Sequence, residues 1–144
     1  MPELHLTRTY THNVHYYETD RMDITHHSNY VRWMEEARID FLKNIGWDYA
    51  RLESLGIISP VTAISCNFKE STTFSDEVTI TVSVEEFKGV RLKLHYEMVN
   101  AEGKPVCLAA SEHCFVNNEG RPIRLKREFP EFYNVLADLA GTEE

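Results

Sequence analysis

A carboxylate and an imidazole lie seven positions apart, at Asp20 and His27, in the segment of the sequence best equipped for chemistry. Residues 19–28 follow neither the two-residue period of a strand nor the 3.6-residue period of a helix, so we predict a loop. A helical pattern begins directly after it. Because the first amides of a helix lack intrahelical acceptors and carry partial positive charge, we expect the carboxylate and these amides to form one site.

This combination suits the hydrolysis of an activated acyl group. Asp20 would attack the carbonyl carbon or activate a water molecule, and the amides would stabilise the negative charge that develops on oxygen. The residues alone leave ordinary roles open, with Asp20 as a turn or cap residue and His27 as a loop histidine. A metal site formed by Asp23, His26 and His27 is a weaker alternative, because their spacing matches no zinc signature, and we predict none.

Other nucleophiles have less support. Cys66, Cys107 and Cys114 lie in strand patterns, where cysteine usually acts as a small core residue, and no base is placed beside them. Ser28 lacks the G-x-S-x-G context of a serine hydrolase. It is instead a candidate for the residue that caps the helix.

Composition restricts the class of protein. The chain has 144 residues and a net charge of −8, which fits one domain over residues 1–144 and disfavours general binding to nucleic acid or anionic membranes. No stretch is long and apolar enough for a membrane helix, and the N-terminus lacks the pattern of a secretory signal. Three cysteines are an odd number without a C-x-x-C pair. We therefore expect a reducing, cytoplasmic location.

Periodicity predicts one early helix and several strands. We predict a strand over 9–18, with Tyr10, His12, Val14 and Tyr16 on one face, and a long helix over 29–45. Shorter helices are predicted at 48–54 and at 128–140, the latter with Pro130 in its first turn. Alternating apolar residues predict four further strands, which tight turns containing glycine would join into antiparallel neighbours, at about 62–68, 78–84, 92–98 and 105–116.

The long helix supplies the only large apolar cover for such a sheet. Its apolar stripe comprises Tyr30, Trp33, Met34, Ala37, Phe41 and Ile45. The opposite face carries Arg32, Glu36, Asp40 and Lys43. We therefore predict an α+β fold in which an antiparallel sheet of about five strands wraps around one long central helix.

The loop and the helix that follows it resemble a known family. The run YYETDRMD at 16–23, with HSNY at 27–30 and EEAR at 35–38, is similar to the hotdog-fold acyl-CoA thioesterases, in the 4-hydroxybenzoyl-CoA thioesterase and YbgC-like branch. The order of predicted elements also follows this family, so the resemblance covers nearly the whole chain. It implies the hotdog fold and a thioester substrate, carried by coenzyme A or by acyl-carrier protein.

The resemblance also implies roles for individual residues. Asp20 matches the catalytic carboxylate, as nucleophile or general base, and His27 matches a histidine whose backbone N–H polarises the thioester carbonyl. Asn29 and Tyr30 match the Asn-Tyr pair that opens the helix. Asp23 departs from the family, since many relatives have glycine there. Asp23 would either tighten the turn or act on Asp20 as a neighbouring like charge.

Further expectations concern the substrate and the assembly. The resemblance implies a homo-oligomer, a dimer with sheets joined edge to edge or a tetramer, with active sites at the dimer interface. Tyr17 would line the acyl pocket, and Lys88 and Arg91 would contact the phosphates of coenzyme A. No separate cofactor is expected, because coenzyme A is part of the substrate.

Two other functions are compatible with the fold. The first is a hotdog protein that binds acyl-CoA without cleaving it. The second is a hotdog dehydratase, in which we would expect the catalytic acid on the helix, where Glu35 and Glu36 lie. The loop motif fits the thioesterases better than the dehydratases.

Overall fold

A helix of 17 residues and a five-stranded antiparallel sheet form most of the chain, as the predicted α+β class requires. The computed structural model describes residues 8–141, so the ends of the predicted domain at 1–7 and 142–144 lie outside it. The strands are β1 Arg8–Asn13, β2 Val61–Phe68, β3 Glu77–Phe87, β4 Arg91–Val99 and β5 Pro105–Cys114. The helices are α1 Ser28–Asn44, α2 Tyr49–Ser54, α3 Leu125–Glu128 and α4 Pro130–Leu139.

The strands lie in the order β1-β3-β4-β5-β2. The tight turns after β3 and β4 produce antiparallel neighbours, as predicted. The expectation that every consecutive pair of strands would be neighbours is wrong for β2, which pairs with β5 and forms the edge of the sheet opposite β1. The segment 69–76 carries the chain from one side of the sheet to the other.

Helix α1 packs against β1 and β3 through the predicted apolar stripe. Trp33, Ala37 and Phe41 are fully buried, and Ile45 is half-buried just beyond the last helical residue. Large apolar residues in the sheet face this stripe. Burying such side chains contributes about 1.5–3 kcal/mol each, so this contact between helix and sheet stabilises the fold substantially. No helix within residues 8–141 is long and apolar enough to cross a membrane.

The first strand is shorter than predicted. β1 ends at Asn13 and the chain turns through a 3₁₀ segment at Tyr16–Glu18, so the predicted continuation of the strand to residue 18 is wrong. Tyr16 is exposed instead of sharing the buried face with Val14. The His15 amide donates to the carboxylate of Glu18 at 2.8 Å, a local bond that closes the turn.

The shorter helices lie near their predicted positions. Asp48 caps α2 by accepting a hydrogen bond from the amide of Arg51 at 2.9 Å. The predicted terminal helix is divided into α3 and α4, and Pro130 opens α4. Proline fits there because its missing N–H would have no acceptor in the first turn.

A chain of polar groups is buried where α1 meets β4 and β5. Arg38 Nη1 donates to His113 Nδ1 at 2.9 Å, so the ring hydrogen is on Nε2, which donates to Ser111 Oγ at 2.7 Å. Ser111 Oγ lies 2.7 Å from the hydroxyl of Tyr96. Burial, together with the positive charge of Arg38, lowers the pKa of His113 to about 4. His113 is therefore a neutral acceptor for Arg38 at neutral pH.

The depressed pKa of His113 predicts a pH dependence of stability. The unfolded chain binds this proton near pH 6.5 and the folded chain only near pH 4, so the free energy of unfolding should fall as the pH is lowered between these values. The loss should be on the order of 2–3 kcal/mol. Urea unfolding across this window should give a flatter profile for His113→Gln than for wild type.

The same substitution at the half-exposed His95 controls for the loss of a histidine as such. An unchanged slope in His113→Gln would contradict the assignment.

Candidate active site

Asp20 occupies a tight turn between β1 and α1. Its Oδ1 atom accepts a hydrogen bond from the amide of Met22 at 2.8 Å, and its carbonyl oxygen accepts one from the amide of Asp23 at 2.9 Å. Its own amide donates to the carbonyl of Ile24 at 2.9 Å. These bonds fix the backbone of an exposed residue, so the carboxylate has a defined direction.

Asp23 has a left-handed backbone conformation, with φ of 65°. Glycine adopts this region without steric cost. Aspartate tolerates it better than most residues. The carbonyl of Asp23 accepts a hydrogen bond from Thr73 Oγ1 at 2.6 Å, which joins the turn to the segment before β3. The residue therefore tightens the turn through its backbone, one of the two roles predicted for it.

The helix start leaves one amide available. His27, and not the predicted Ser28, occupies the cap position, and its side chain makes no capping bond. The amide of Ser28 donates to His26 Nδ1 at 3.2 Å, and that of Asn29 to the carbonyl of His26 at 3.0 Å. Within residues 8–141 no acceptor is found for the amide of His27. It is therefore a free donor at the positive end of α1.

A buried carboxylate that the sequence analysis missed holds this loop against the helix. Glu18 is 4% exposed and accepts hydrogen bonds from His12 Nε2 at 2.9 Å, from Trp33 Nε1 at 2.9 Å and from the His15 amide at 2.8 Å. Burial alone would raise the pKa of Glu18, but these bonds outweigh it and the pKa lies below its usual value. Glu18 is therefore ionised and fully engaged at neutral pH.

The backbone of Glu18 continues the same connection. Its carbonyl accepts bonds from the His26 amide at 2.9 Å and from Asn29 Nδ2 at 3.0 Å. One sequence signal could have identified Glu18 as a buried residue. Trp33 lies on a core stripe, and a buried indole N–H needs an acceptor. The other side of His12 faces Glu36, with Nδ1 3.0 Å from Oε1.

Asp20 lies between two cavities. The first, of about 320 Å³, is bounded by Asp20, His26 and His27 and has aromatic walls formed by Tyr30 and Phe68. The second, of about 590 Å³, shares Asp20 and His26 but has polar walls that include Tyr17, Asn29, Arg32 and Glu36. The predicted pair therefore lines one cavity, with Asp20 on the side of the loop and His27 at the start of α1.

The other predicted site residues near the loop have mixed placements. Tyr30 lines the aromatic cavity, with its hydroxyl 3.1 Å from Thr72 Oγ1. Asn29 is buried and joins the loop to the helix. Tyr17 is 80% exposed and its ring stacks on His15 at 5.1 Å between centroids. Their contacts with a substrate stay predictions.

Lys88 and Arg91 lie together at the turn after β3, in a depression that also contains Lys93, Glu86 and Glu112. Lys88 Nζ pairs with Glu86 at 2.9 Å. The Asp20 loop adjoins the opposite end of β3, and a strand of 11 residues separates its two ends by roughly 33 Å. Within one chain the structure does not bring these two cations to the loop.

Other catalytic arrangements have little support. Burial raises the pKa of Cys107 to about 12, so its thiol stays protonated. Ser111 lies beside His113, but the ring nitrogen that faces it carries the hydrogen and cannot act as its base. Within the described part of the chain, no group of three or more acidic, histidine or cysteine side chains is placed to hold a metal ion.

Comparison with known proteins identifies the family. Residues 14–138 match the family described as the thioesterase-like superfamily. The chain belongs to this superfamily. The predicted enzyme class, a thioester hydrolase, and the predicted hotdog fold are thereby confirmed.

Several known proteins are similar to this thioesterase over most of its length. The crystal structure of DHNA-CoA thioesterase from Staphylococcus aureus is 32% identical, with a TM-score of 0.89 over 94% of this chain and 91% of that one. A Bacillus subtilis protein named "Putative acyl-CoA thioesterase YneP" is 31% identical over 123 residues, 85% of this chain and 89% of its own. The 1,4-dihydroxy-2-naphthoyl-CoA hydrolase of Thermosynechococcus vestitus is 28% identical over 107 residues, 74% of this chain and 73% of its own.

The hydrogen bonds of Glu18 predict a stability effect. In Glu18→Gln an amide nitrogen that cannot accept replaces one carboxylate oxygen, so at least one of the three donors loses its acceptor. The free energy of unfolding should fall by about 1–3 kcal/mol in urea titrations. Glu97→Gln, at an exposed position of β4, makes the same chemical change and should stay within about 0.5 kcal/mol of wild type. Equal stability of the two variants would show that the buried carboxylate is dispensable.

The backbone of Asp23 predicts a ranking of substitutions. Asp23→Gly should be more stable than Asp23→Ala by about 1 kcal/mol, because alanine retains the clash of Cβ in the left-handed region and glycine does not. Thermal unfolding of the two variants provides the measurement. A more stable alanine variant would mean that the turn has another conformation in solution.

Proposed function

We propose that the protein hydrolyses acyl-CoA thioesters to a free acid and coenzyme A, with Asp20 as the reacting carboxylate and the His27 amide as the group that polarises the carbonyl. The observation that carries this proposal is the cavity of about 320 Å³ that Asp20 bounds on one side and His27 on the other. The names of the relatives support a coenzyme A thioester as the substrate class. Acyl-carrier protein is the alternative carrier, and no separate cofactor takes part.

The chemistry divides into two possible routes. As a nucleophile, Asp20 attacks the carbonyl carbon, the C–S bond breaks, and water then hydrolyses the acyl-aspartyl anhydride. As a general base, Asp20 takes a proton from a water molecule that attacks the carbonyl directly. In both routes negative charge develops on the carbonyl oxygen, and a helix-start amide stabilises it. The thiolate leaves and is protonated by solvent or by the His27 imidazole.

The two cavities around Asp20 suit the two halves of such a substrate. The cavity with Tyr30 and Phe68 offers aromatic walls to an acyl group, and aromatic rings there favour stacking with a flat acyl group. The polar cavity, which contains Arg32 and Tyr17, suits the amide-rich arm of the carrier. The thioester group would then lie at Asp20, which lines both cavities.

We also infer a homo-oligomer, as a dimer or tetramer, in the cytoplasm. The free thiols of Cys66, Cys107 and Cys114 suit a reducing compartment. Lys88 and Arg91 would reach the phosphates of coenzyme A only from a second copy, since their turn lies at the far end of β3 in one chain.

A binding protein without hydrolytic activity is the second candidate. One observation favours it: the carboxylate of Asp20 already accepts the Met22 amide, which is the ordinary role of aspartate in a turn. Tight binding of acyl-CoA without release of thiol, over short, long and aromatic acyl groups, would support this candidate.

Asp20→Asn is the decisive variant. Asparagine keeps the oxygen that accepts the Met22 amide, so the turn should persist while the negative charge is lost. Hydrolysis, followed with a thiol reagent, should fall by about 10²–10⁴-fold. Asp23→Asn makes the same chemical change three residues away and should retain most of the activity. Full activity in Asp20→Asn with an unchanged circular dichroism spectrum would overturn the proposed role.

A further inference from the structure

His26 borders both of the cavities that meet at Asp20. Its neighbour His27, the predicted catalytic histidine, borders only the aromatic cavity. The two imidazole rings stack, with 4.3 Å between their centroids. Of the two histidines, only His26 therefore lies where the two halves of a substrate that occupies both cavities would meet.

The hydrogen bonds of His26 fix its tautomer. The amide of Ser28 donates to Nδ1 at 3.2 Å, and because an amide N–H cannot accept, Nδ1 is the ring nitrogen without a hydrogen. The hydroxyl of Ser28 lies 2.9 Å from the same nitrogen. This hydroxyl accepts a hydrogen bond from Arg32 Nη1 at 3.1 Å, so its own hydrogen is free to go to Nδ1. With two donors at Nδ1, the ring hydrogen is on Nε2.

Nε2 of His26 is a donor that the chain leaves available. Among the residues that the structure describes, no acceptor is hydrogen-bonded to it. The ring is held by Ser28 at Nδ1 and by the stacked ring of His27. A donor that is oriented before the substrate arrives needs little reorganisation during the reaction, which is the condition under which one hydrogen bond changes a rate strongly.

The place of this donor suits the sulfur of the proposed substrate. In the proposed complex the acyl group lies in the aromatic cavity, where the His27 amide serves the carbonyl oxygen. The carrier's arm lies in the polar cavity, so the sulfur that joins the arm to the acyl group lies between the two. His26 borders both cavities, and its N–H therefore suits the sulfur better than the carbonyl oxygen.

Stabilising the leaving sulfur answers a specific difficulty of this reaction. When a carboxylate adds to a thioester, the tetrahedral intermediate can expel the carboxylate or the thiolate, and the carboxylate leaves more easily because it is the weaker base. A hydrogen bond to sulfur favours the productive direction, since negative charge develops on sulfur as the C–S bond breaks. The bonding electron pair goes to sulfur, the neutral imidazole keeps its hydrogen, and solvent protonates the thiolate after it departs.

We propose that His26 is a further catalytic residue of this thioesterase, and that its Nε2–H donates a hydrogen bond to the thioester sulfur as the C–S bond breaks. The inference rests on the proposed function, because that function places the thioester at Asp20. The hydrogen bonds from Ser28 keep the ring in the tautomer that can donate.

The acidity of the leaving thiol tests this role. His26→Phe keeps an aromatic ring beside His27 and removes the donor. Hydrolysis of a thioester of N-acetylcysteamine, an alkyl thiol like coenzyme A, should fall by about 10–100-fold in kcat with little change in KM. The thioester of the same acid with 4-nitrothiophenol, a more acidic thiol whose thiolate leaves without help, should lose less than about threefold. Equal losses on both thioesters, or no loss on either, would overturn the proposal.

His26→Gln is the matched rescue variant. Its side-chain oxygen can accept from Ser28 in place of Nδ1, and its amide nitrogen then lies near the position of Nε2. With acyl-CoA, His26→Gln should be at least about tenfold faster than His26→Phe, and equal rates would contradict the role as a donor. This comparison also decides the matter if the shortened thioesters react too slowly to measure. His95→Phe makes the same change at a half-exposed position of β4 and should keep wild-type kinetics.

Nitrogen NMR of the free enzyme at mildly alkaline pH checks the tautomer without reference to activity. The His26 ring should carry its hydrogen on Nε2, and a hydrogen on Nδ1 would overturn the proposal. Asp20→Asn separates this inference from the proposed function, since it should lose hydrolysis of both kinds of thioester. If Asp20→Asn is inactive while His26→Phe behaves like wild type, the proposed function stands and the role of His26 falls.

Discussion

The carboxylate of Glu18 joins the three segments on which the candidate site depends. Its hydrogen bonds reach β1 through His12, the 3₁₀ turn through the His15 amide and α1 through Trp33. A buried carboxylate is stable only when its oxygens are well supplied with donors, so these segments have little freedom to move relative to one another. The direction in which the chain leaves this point, two residues before Asp20, is set by the same bonds.

Glu18 also constrains the positions of the two candidate catalytic residues. Because the carbonyl of Glu18 also accepts bonds from His26 and Asn29, the far end of the loop returns to the helix start beside its near end. Asp20 and His27, seven positions apart in sequence, therefore bound one cavity. Asp20 and His27 owe their place on one cavity to the buried hydrogen bonds beneath them, since Asp20 itself is exposed.

The two edges of the sheet differ in how completely they are satisfied. At the β1 edge, each buried polar group of the Glu18 cluster has a partner within the chain. At the β2 edge, apolar side chains on the inner face are half exposed, and no carboxylate within residues 8–141 forms an ion pair with the guanidinium of Arg38. One side of α1 therefore has its polar and apolar groups satisfied within residues 8–141, and the other side does not.

The sequence by itself determined the features that depend on local periodicity. The stripe of α1 from Tyr30 to Phe41, the alternation in β3 and β4 and the irregular loop between Asp20 and His27 are all short-range patterns, and they gave the fold class and the candidate pair. Only the tertiary structure decided which residues lie at the sheet edge and which charges are buried. β2 has the alternation of a central strand. Its edge position follows from its pairing with β5, whereas the strand that comes next in the chain is β3. Glu18 and Arg38 look like surface charges in sequence, because their partners Trp33 and His113 approach them only when distant segments pack together.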